Sequence, residues 1–235
     1  MTESTVKEAN PVAKKLRGTR SILMVSLGLH LCLTFPLVTF LIEDGTIQQQ
    51  VYMHLASHFG KYDIAFIGDS ITAEGFVWAS KIGAYNLNVW NYGKGGFTTE
   101  QIASYANLVA QKRFKFCFLM TGRNDGITDH DSALRSYKEC IDILQTLKNS
   151  QVEPIVTLML YRENERHSRH VDEYNDLVRK YCILNNISFI DLNPFLSDGN
   201  GLRKIYSKDG VHLRDNAYRI WGREIHRVLH EKRYL

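Results

Sequence analysis

The sequence has few of the patterns that mark metal-binding or repetitive proteins. Its 235 residues include four cysteines, and none of them stands at metal-ligand spacing. There is no internal repeat and no low-complexity segment. Charged residues make up 23% and apolar residues 44% of the chain, a composition that argues against disorder. We therefore expect a globular domain with an appendage, holding neither a metal ion nor an organic cofactor.

The cysteines of the second half of the chain admit two interpretations. Cys117 falls in the strand-like apolar run 114–120, which is typical of a buried, unreactive thiol. Cys140 and Cys182 are able to form a disulfide if the domain is exported, because disulfides persist in oxidising compartments. The sequence leaves this pairing open.

An excess of charge of one sign is almost absent, since 29 lysines and arginines oppose 25 aspartates and glutamates. Part of the small excess is local, in a basic cluster ahead of one apolar stretch: Lys7, Lys14, Lys15, Arg17 and Arg20. Such a cluster is compatible with nucleic-acid binding, but its position favours a role in orienting a membrane segment. We expect a membrane contact here and no nucleic-acid partner.

The apolar stretch, residues 21–42, is the one long hydrophobic run of the chain. At about 1.5 Å per residue it is long enough to cross a hydrocarbon core of about 30 Å. Basic residues precede it and Glu43 and Asp44 follow, so the positive-inside rule leaves the N-terminus in the cytoplasm and exports the rest. A cleaved signal peptide is the alternative, but no small-residue cleavage site follows. We expect a single-pass signal anchor with an extracytoplasmic domain, periplasmic in a Gram-negative cell.

The remaining sequence predicts an α/β domain. The predicted parts of the chain are a basic tail (1–20), the transmembrane anchor (21–42), a juxtamembrane connector (43–60) and a globular domain (61–235). Within that domain, the strand candidates are 63–67, 85–90, 114–120, 154–160 and 187–191. The helix candidates are 70–82, 99–111, 131–149, 171–184 and 217–232. Apolar strands that alternate with amphipathic helices indicate a parallel sheet with helices on both faces. Five strands suit a flavodoxin-like three-layer sandwich of order 2-1-3-4-5, whose ligands bind at the carboxyl ends of the strands.

The first motif with chemical content is the tetrapeptide Gly68-Asp69-Ser70-Ile71, which follows the first strand candidate. A serine at a strand-to-helix turn lies beside free backbone N–H groups that favour a developing oxyanion. The same pattern is typical of a simple helix N-cap, and the motif alone favours that interpretation.

Two further motifs follow the second and third strand candidates. Residues 91–100 carry three glycines in four positions, which allow a backbone to approach an anion closely, although a ligand-free turn explains them equally well. No Gly-Lys-Ser/Thr is present, so this loop is not a P-loop. Residues 121–126 place the Asn124 amide where it can donate to an oxyanion, but Asn-Asp-Gly is also ordinary turn chemistry.

The fourth motif, Asp209-Gly210-Val211-His212, precedes the last helix candidate. This spacing lets the carboxylate accept from the imidazole Nδ1–H and leaves Nε2 to take a serine proton. The alternative is a surface loop with an incidental histidine.

In this order and at these spacings, the four motifs resemble the SGNH/GDSL hydrolase superfamily over residues 62–222. The resemblance implies a serine esterase or acylhydrolase whose nucleophile is Ser70. It implies His212 as general base and then acid, oriented by Asp209. The oxyanion hole would consist of the backbone N–H groups of Ser70 and Gly96 together with the Asn124 side chain.

Two positions depart from the common pattern of that family. Phe97 stands where many members have aspartate, and would add an apolar wall to the pocket. Arg123 fills a slot that is often small or polar, and either meets an anionic substrate or pairs with a surface carboxylate. The expected substrate is a small acyl ester, a carbohydrate ester or a lipid. An O-acyltransferase acting on glycans and a non-catalytic carbohydrate-binding module are the alternatives.

Overall fold

The computed structural model describes residues 62–85, 87–165 and 169–235. The predicted tail, transmembrane anchor and connector lie outside these residues. Within the described ranges, no helix has the length and apolar character needed to cross a membrane.

Five parallel strands form the sheet, in the predicted order β2-β1-β3-β4-β5. The strands are β1 Ile64–Ile67, β2 Val89–Asn91, β3 Phe116–Leu119, β4 Glu153–Thr157 and β5 Ser188–Ile190. Their pairing is continuous: Ile64 of β1 lies opposite both Val89 and Phe116, and Phe118 of β3 lies opposite Ile155. The prediction of an α/β fold with this sheet order is confirmed.

The helices cover both faces of the sheet. They are α1 Ser70–Ala73, α2 Trp78–Ile82, α3 Thr99–Lys112, α4 His130–Asn149, α5 Arg169–Leu184, α6 Asn193–Leu196 and α7 Asp215–Glu231. Successive side chains of a strand point to opposite faces. Ala65 and Ile67 accordingly join a core with α3, α4 and α5, whereas Ile64 and Phe66 join a second core with α1, α2 and α7. This is the three-layer sandwich that the alternating pattern predicts.

The single helix predicted over 70–82 is wrong, because the structure divides it into α1 and α2. Gly75 lies between them, and a Cβ there would stand 2.2 Å from the Trp78 ring. The Trp78 indole donates to the Thr72 carbonyl (3.1 Å), and Phe76 takes a φ of 48°. Packing of the indole against the turn therefore interrupts a stretch whose hydrophobic spacing alone is helical.

The second predicted strand begins later than expected. Tyr85 is 73% exposed and lies in a turn, and β2 starts only at Val89. Between β5 and α7 the structure adds a short hairpin, β6 Ser197–Asp198 with β7 Gly201–Leu202, and a 3₁₀ turn at Lys204–Tyr206. These residues lie outside every predicted strand and helix.

The three described cysteines are buried free thiols: Cys117, Cys140 and Cys182. Burial raises the pKa of the Cys182 thiol to about 12, and it also raises the pKa of Cys140. A thiol with a raised pKa is a poor nucleophile and a poor metal ligand. Cys117 is thus the buried thiol that was predicted, and Cys140 and Cys182 are not joined.

Candidate active site

The four motifs meet at one edge of the sheet. Ser70 follows β1, Gly96 lies in the loop after β2, and Asn124 lies in the loop after β3. His212 arrives from the loop before α7. Carboxyl ends of parallel strands share an edge, so the topology brings the first three loops together, and packing of α7 brings the fourth.

A tight turn presents Ser70 at the first position of α1. The Gly68 backbone is crowded here: a Cβ would stand 2.2 Å from Thr72 Oγ1 and 2.9 Å from the Met120 carbonyl oxygen. Asp69 is the N-cap, and its carboxylate accepts from the Ile71 N–H at 2.9 Å. Ser70 consequently lies among the free N–H groups of the helix N-terminus, and the residue is partly exposed.

Asp69, the residue before the serine, is buried, with 1% of its surface exposed. Burial raises the pKa of this carboxyl to about 6, against the opposing influence of the backbone N–H groups of Ile71 and Thr72 and the charge of Arg123. Asp69 therefore combines a structural capping role with an ionisation close to neutral pH.

Ser70, His212 and Asp209 form a continuous hydrogen-bonded chain. His212 Nε2 lies 2.9 Å from Ser70 Oγ, and His212 Nδ1 lies 2.7 Å from Asp209 Oδ2. Asp209 Oδ1 also accepts from the His212 N–H at 2.8 Å and the Val211 N–H at 3.1 Å. Since the carboxylate accepts from Nδ1–H, Nε2 is the unprotonated nitrogen that can accept from the serine hydroxyl.

The hydrogen bonds to Asp209 also set its charge. They hold the pKa of this carboxyl well below its usual range, with the backbone N–H of His212 the largest cause and its side chain the next. An ionised Asp209 favours the imidazolium that forms when His212 takes a proton.

The loops that carry Gly96 and Asn124 are tied to each other. Asn124 Nδ2 donates to the Phe97 carbonyl at 3.0 Å, which uses one of its two amide hydrogens. Gly96 has a φ of 75°, and no acceptor among the described residues takes a hydrogen bond from its N–H. The Gly96 N–H and the second Asn124 hydrogen are thus open to a ligand oxygen.

Asp125 links the loop after β3 to the start of α3, which follows the Gly96 loop. Sequence reasoning missed this role. Its carboxylate accepts from the Thr99 N–H (2.8 Å) and from Thr99 Oγ1 (2.5 Å). Thr99 Oγ1 in turn accepts from the Gly122 N–H at 3.2 Å. The Asn-Asp-Gly sequence suggested only turn chemistry, because the partner Thr99 is 26 residues away.

Arg123 is engaged by the protein itself. Its guanidinium donates to both carboxylate oxygens of Glu165 (2.9 and 3.0 Å) and to the Leu160 carbonyl (2.7 Å), and its side chain is 9% exposed. Of the two alternatives predicted for Arg123, the structure shows the pairing with a carboxylate. That carboxylate, Glu165, is partly buried rather than on the surface. Phe97 packs beside Tyr105, with ring centroids 5.9 Å apart.

A second acidic side chain lies next to the histidine. Glu74 Oε1 is 3.9 Å from His212 Nε2, and Glu74 Oε2 accepts from Lys208 Nζ at 2.8 Å. Glu74 stands four residues after Ser70, a helical spacing that places both residues on one side of the turn. That spacing is the one signal in the sequence that could have indicated Glu74 as a site residue.

A parallel sheet of this order carries a serine, histidine and aspartate chain at its carboxyl edge, and such a chain can activate the serine as a nucleophile. The family model described as "GDSL-like Lipase/Acylhydrolase family" matches residues 66–220. The chain belongs to this family.

Solved structures share the fold at low sequence identity. A GDSL-like lipase from Bacteroides thetaiotaomicron is 18% identical with a TM-score of 0.63, and the match covers 77% of this chain and 98% of that one. An acetyl xylan esterase is 21% identical with a TM-score of 0.61, over 71% of this chain and 99% of that one.

Among curated proteins, the N-acylneuraminate cytidylyltransferase of Streptococcus agalactiae serotype III is 24% identical over 132 residues. The match covers 55% of this chain and 32% of that protein. The chain thus spans about a third of the length of the curated relatives it matches.

Proposed function

We propose that this protein is a serine esterase that removes small acyl groups, such as acetyl, from carbohydrate. The observation that carries the proposal is the pair of contacts made by His212, at 2.9 Å to Ser70 Oγ and 2.7 Å to Asp209 Oδ2. These are the distances at which a general base contacts its nucleophile and its orienting acid.

In the proposed mechanism, Ser70 Oγ attacks the ester carbonyl carbon while its proton passes to His212 Nε2. The carbonyl oxygen becomes an oxyanion that accepts hydrogen bonds from the Ser70 and Gly96 N–H groups and the Asn124 amide. The tetrahedral intermediate collapses, and the alcohol leaves with the proton from His212. Water then attacks the acyl-enzyme by the same steps and releases the carboxylic acid and free Ser70.

The polar surroundings of Ser70 support a hydroxylated alcohol rather than a lipid. Three charged side chains surround His212: Asp209, Glu74 and Lys208. Two similarities point the same way, because one structural neighbour is an acetyl xylan esterase and the curated relatives act by name on an acylated sugar.

We also propose that the domain works outside the cytoplasm on a single membrane anchor at residues 21–42. The support is the apolar run with basic residues before it and acidic residues after it.

Hydrolysis of nitrophenyl acetate by the full-length protein tests the proposed nucleophile. We expect Ser70→Ala to lose nearly all turnover and all labelling by a fluorophosphonate probe, whereas Ser80→Ala, an exposed serine on α2, keeps both. Full activity of the Ser70→Ala protein would overturn the proposal. Repeating the assay with an acylated sugar donor and an acceptor sugar separates hydrolysis from acyl transfer, since transfer yields the acylated acceptor.

A further inference from the structure

The Glu74 carboxylate presents one oxygen to the space in front of the proposed general base. Its Oε2 is held by Lys208 Nζ at 2.8 Å, and the Lys208 N–H donates to the His212 carbonyl at 2.8 Å. Its Oε1 lies 3.9 Å from His212 Nε2, and no donor within the described ranges hydrogen-bonds to it. Glu74 is therefore fixed in place with a free acceptor oxygen, and its side chain is 29% exposed.

This position is on the alcohol side of the reaction. In the proposed mechanism the carbonyl oxygen is drawn toward Gly96 and Asn124, in the loops after β2 and β3. The leaving oxygen must instead come within hydrogen-bonding reach of His212 Nε2 to take its proton. Groups beside Nε2, such as Glu74, consequently face the alcohol and not the acyl chain.

An alcohol with a hydroxyl on the neighbouring carbon matches the free oxygen of Glu74. Such a hydroxyl lies about one hydrogen-bond length from the leaving oxygen, and a carboxylate accepts strongly from it. An alcohol without that hydroxyl leaves Oε1 unpaired in the complex, which costs affinity.

We propose that Glu74, held by Lys208, is a specificity-determining residue that accepts a hydrogen bond from the hydroxyl next to the scissile ester. The protein then selects esters of sugars and other vicinal diols over simple alkyl esters. This inference rests on the proposed function and deepens it by assigning the alcohol subsite.

The competing explanation is a purely structural role. The pair of Glu74 and Lys208 joins the turn after α1 to the loop that carries Asp209 and His212. If Glu74 only stabilised the loop, or only influenced His212 electrostatically, its removal would change kcat/KM for every ester by the same factor. Preference between two esters that differ in one hydroxyl therefore separates the explanations.

The experiment compares kcat/KM of the full-length protein for 2-hydroxycyclohexyl acetate and cyclohexyl acetate. We expect the wild type to prefer the hydroxylated ester by about tenfold or more, the worth of one hydrogen bond to a charged group. Glu74→Ala should remove the preference, and Glu74→Gln, which keeps an acceptor oxygen, should retain part of it. Glu231→Ala, at an exposed glutamate of α7, is the matched control and should keep the wild-type ratio.

Two outcomes would overturn the inference: no preference in the wild type, or an equal loss on both esters in Glu74→Ala. Failure of the proposed function would look different, because Ser70→Ala would then still hydrolyse nitrophenyl acetate. A sugar monoacetate and glycerol monoacetate, assayed in parallel, distinguish the two sources of vicinal hydroxyls. A Glu74→Ala loss on the sugar ester supports the carbohydrate assignment, and a loss confined to the glycerol ester contradicts it.

Discussion

The pKa values of two aspartates of the site are shifted in opposite directions by their immediate surroundings. Asp209 is exposed and accepts from two backbone N–H groups and an imidazole, which lowers its pKa. Asp69 accepts from backbone N–H groups too, but its burial raises its pKa to about 6. Desolvation of the charged form outweighs the hydrogen bonds at Asp69, whereas at the exposed Asp209 the hydrogen bonds outweigh desolvation.

The raised pKa of Asp69 predicts a pH-dependent stability. Between the ordinary value of 3.8 and about 6, the native state keeps the proton that the unfolded state has lost. The contribution of this carboxyl to the free energy of unfolding therefore falls as pH rises through that window, by roughly 3 kcal/mol in total. Asp69→Asn keeps an acceptor for the Ile71 N–H but cannot ionise. We therefore expect the free energy of unfolding of the variant, relative to that of the wild type, to rise by roughly 3 kcal/mol between pH 3.5 and 7.

Urea unfolding followed by tryptophan fluorescence measures this difference in the full-length protein, because all three tryptophans lie in the α/β domain: Trp78, Trp90 and Trp221. A difference in the free energy of unfolding between wild type and Asp69→Asn that is the same at pH 3.5 and pH 7 would contradict the prediction.

The Asn124 amide predicts a large effect on turnover from a small change. Asn124→Ala removes a proposed oxyanion donor, and we expect kcat on nitrophenyl acetate to fall roughly 10²–10³-fold. Asn216→Ala is a suitable comparison, since it removes an amide that donates to the Ile205 carbonyl outside the site. A kcat within threefold of wild type for Asn124→Ala would remove this side chain from the proposed oxyanion hole.

At the scale of elements, the close packing of α7 against α2 brings the fourth motif to the first. Trp221 of α7 meets Trp78 of α2 edge to face, with ring centroids 4.7 Å apart. Gly222 allows this approach, since a Cβ there would stand 2.1 Å from the Lys81 carbonyl oxygen. The loop that carries Asp209 and His212 ends at α7, so this contact controls where the histidine lies.

Gly222→Ala should therefore destabilise the domain despite the higher helix propensity of alanine. The gain of about 1 kcal/mol from propensity is smaller than the cost of separating two packed helices, and we expect a net loss on the order of 1–2 kcal/mol. Gly199→Ala is the control, because a Cβ at Gly199 meets nothing within 4 Å. Unfolding midpoints in urea measure both, and a stabilised Gly222→Ala protein would contradict the packing argument.

Element boundaries show where sequence patterns stop being informative. The long helices α3, α4 and α5 lie within two residues of the predicted bounds, because their hydrophobic spacing continues over several turns. The break between α1 and α2 escaped prediction, since it depends on the indole of Trp78 lying against Gly75.

At the scale of the whole molecule, the proposed anchor predicts on which side of the membrane the proposed esterase lies. Alkaline phosphatase fused after residue 60 should be active, because that enzyme needs disulfides that form outside the cytoplasm. A fusion after residue 20, ahead of the apolar run, should be inactive. The reverse pattern would contradict the proposed orientation.

The sequence by itself determined the alternation of strands and helices and the four motifs whose resemblance to a known family implied the candidate site residues. Strand and helix periodicities are local properties, and the motifs are short strings that follow predicted strands in a fixed order. These features can be recognised in the sequence because each depends on residues that are neighbours along the chain.

Only the tertiary structure decided which distant groups meet. It placed His212 2.9 Å from Ser70, across 142 residues of sequence. It also paired Arg123 with Glu165 and set the Glu74 carboxylate beside the imidazole. Hydrogen bonds and ion pairs depend on distances of a few ångströms, and only the packing of α7 and the loops at the sheet edge establishes those distances.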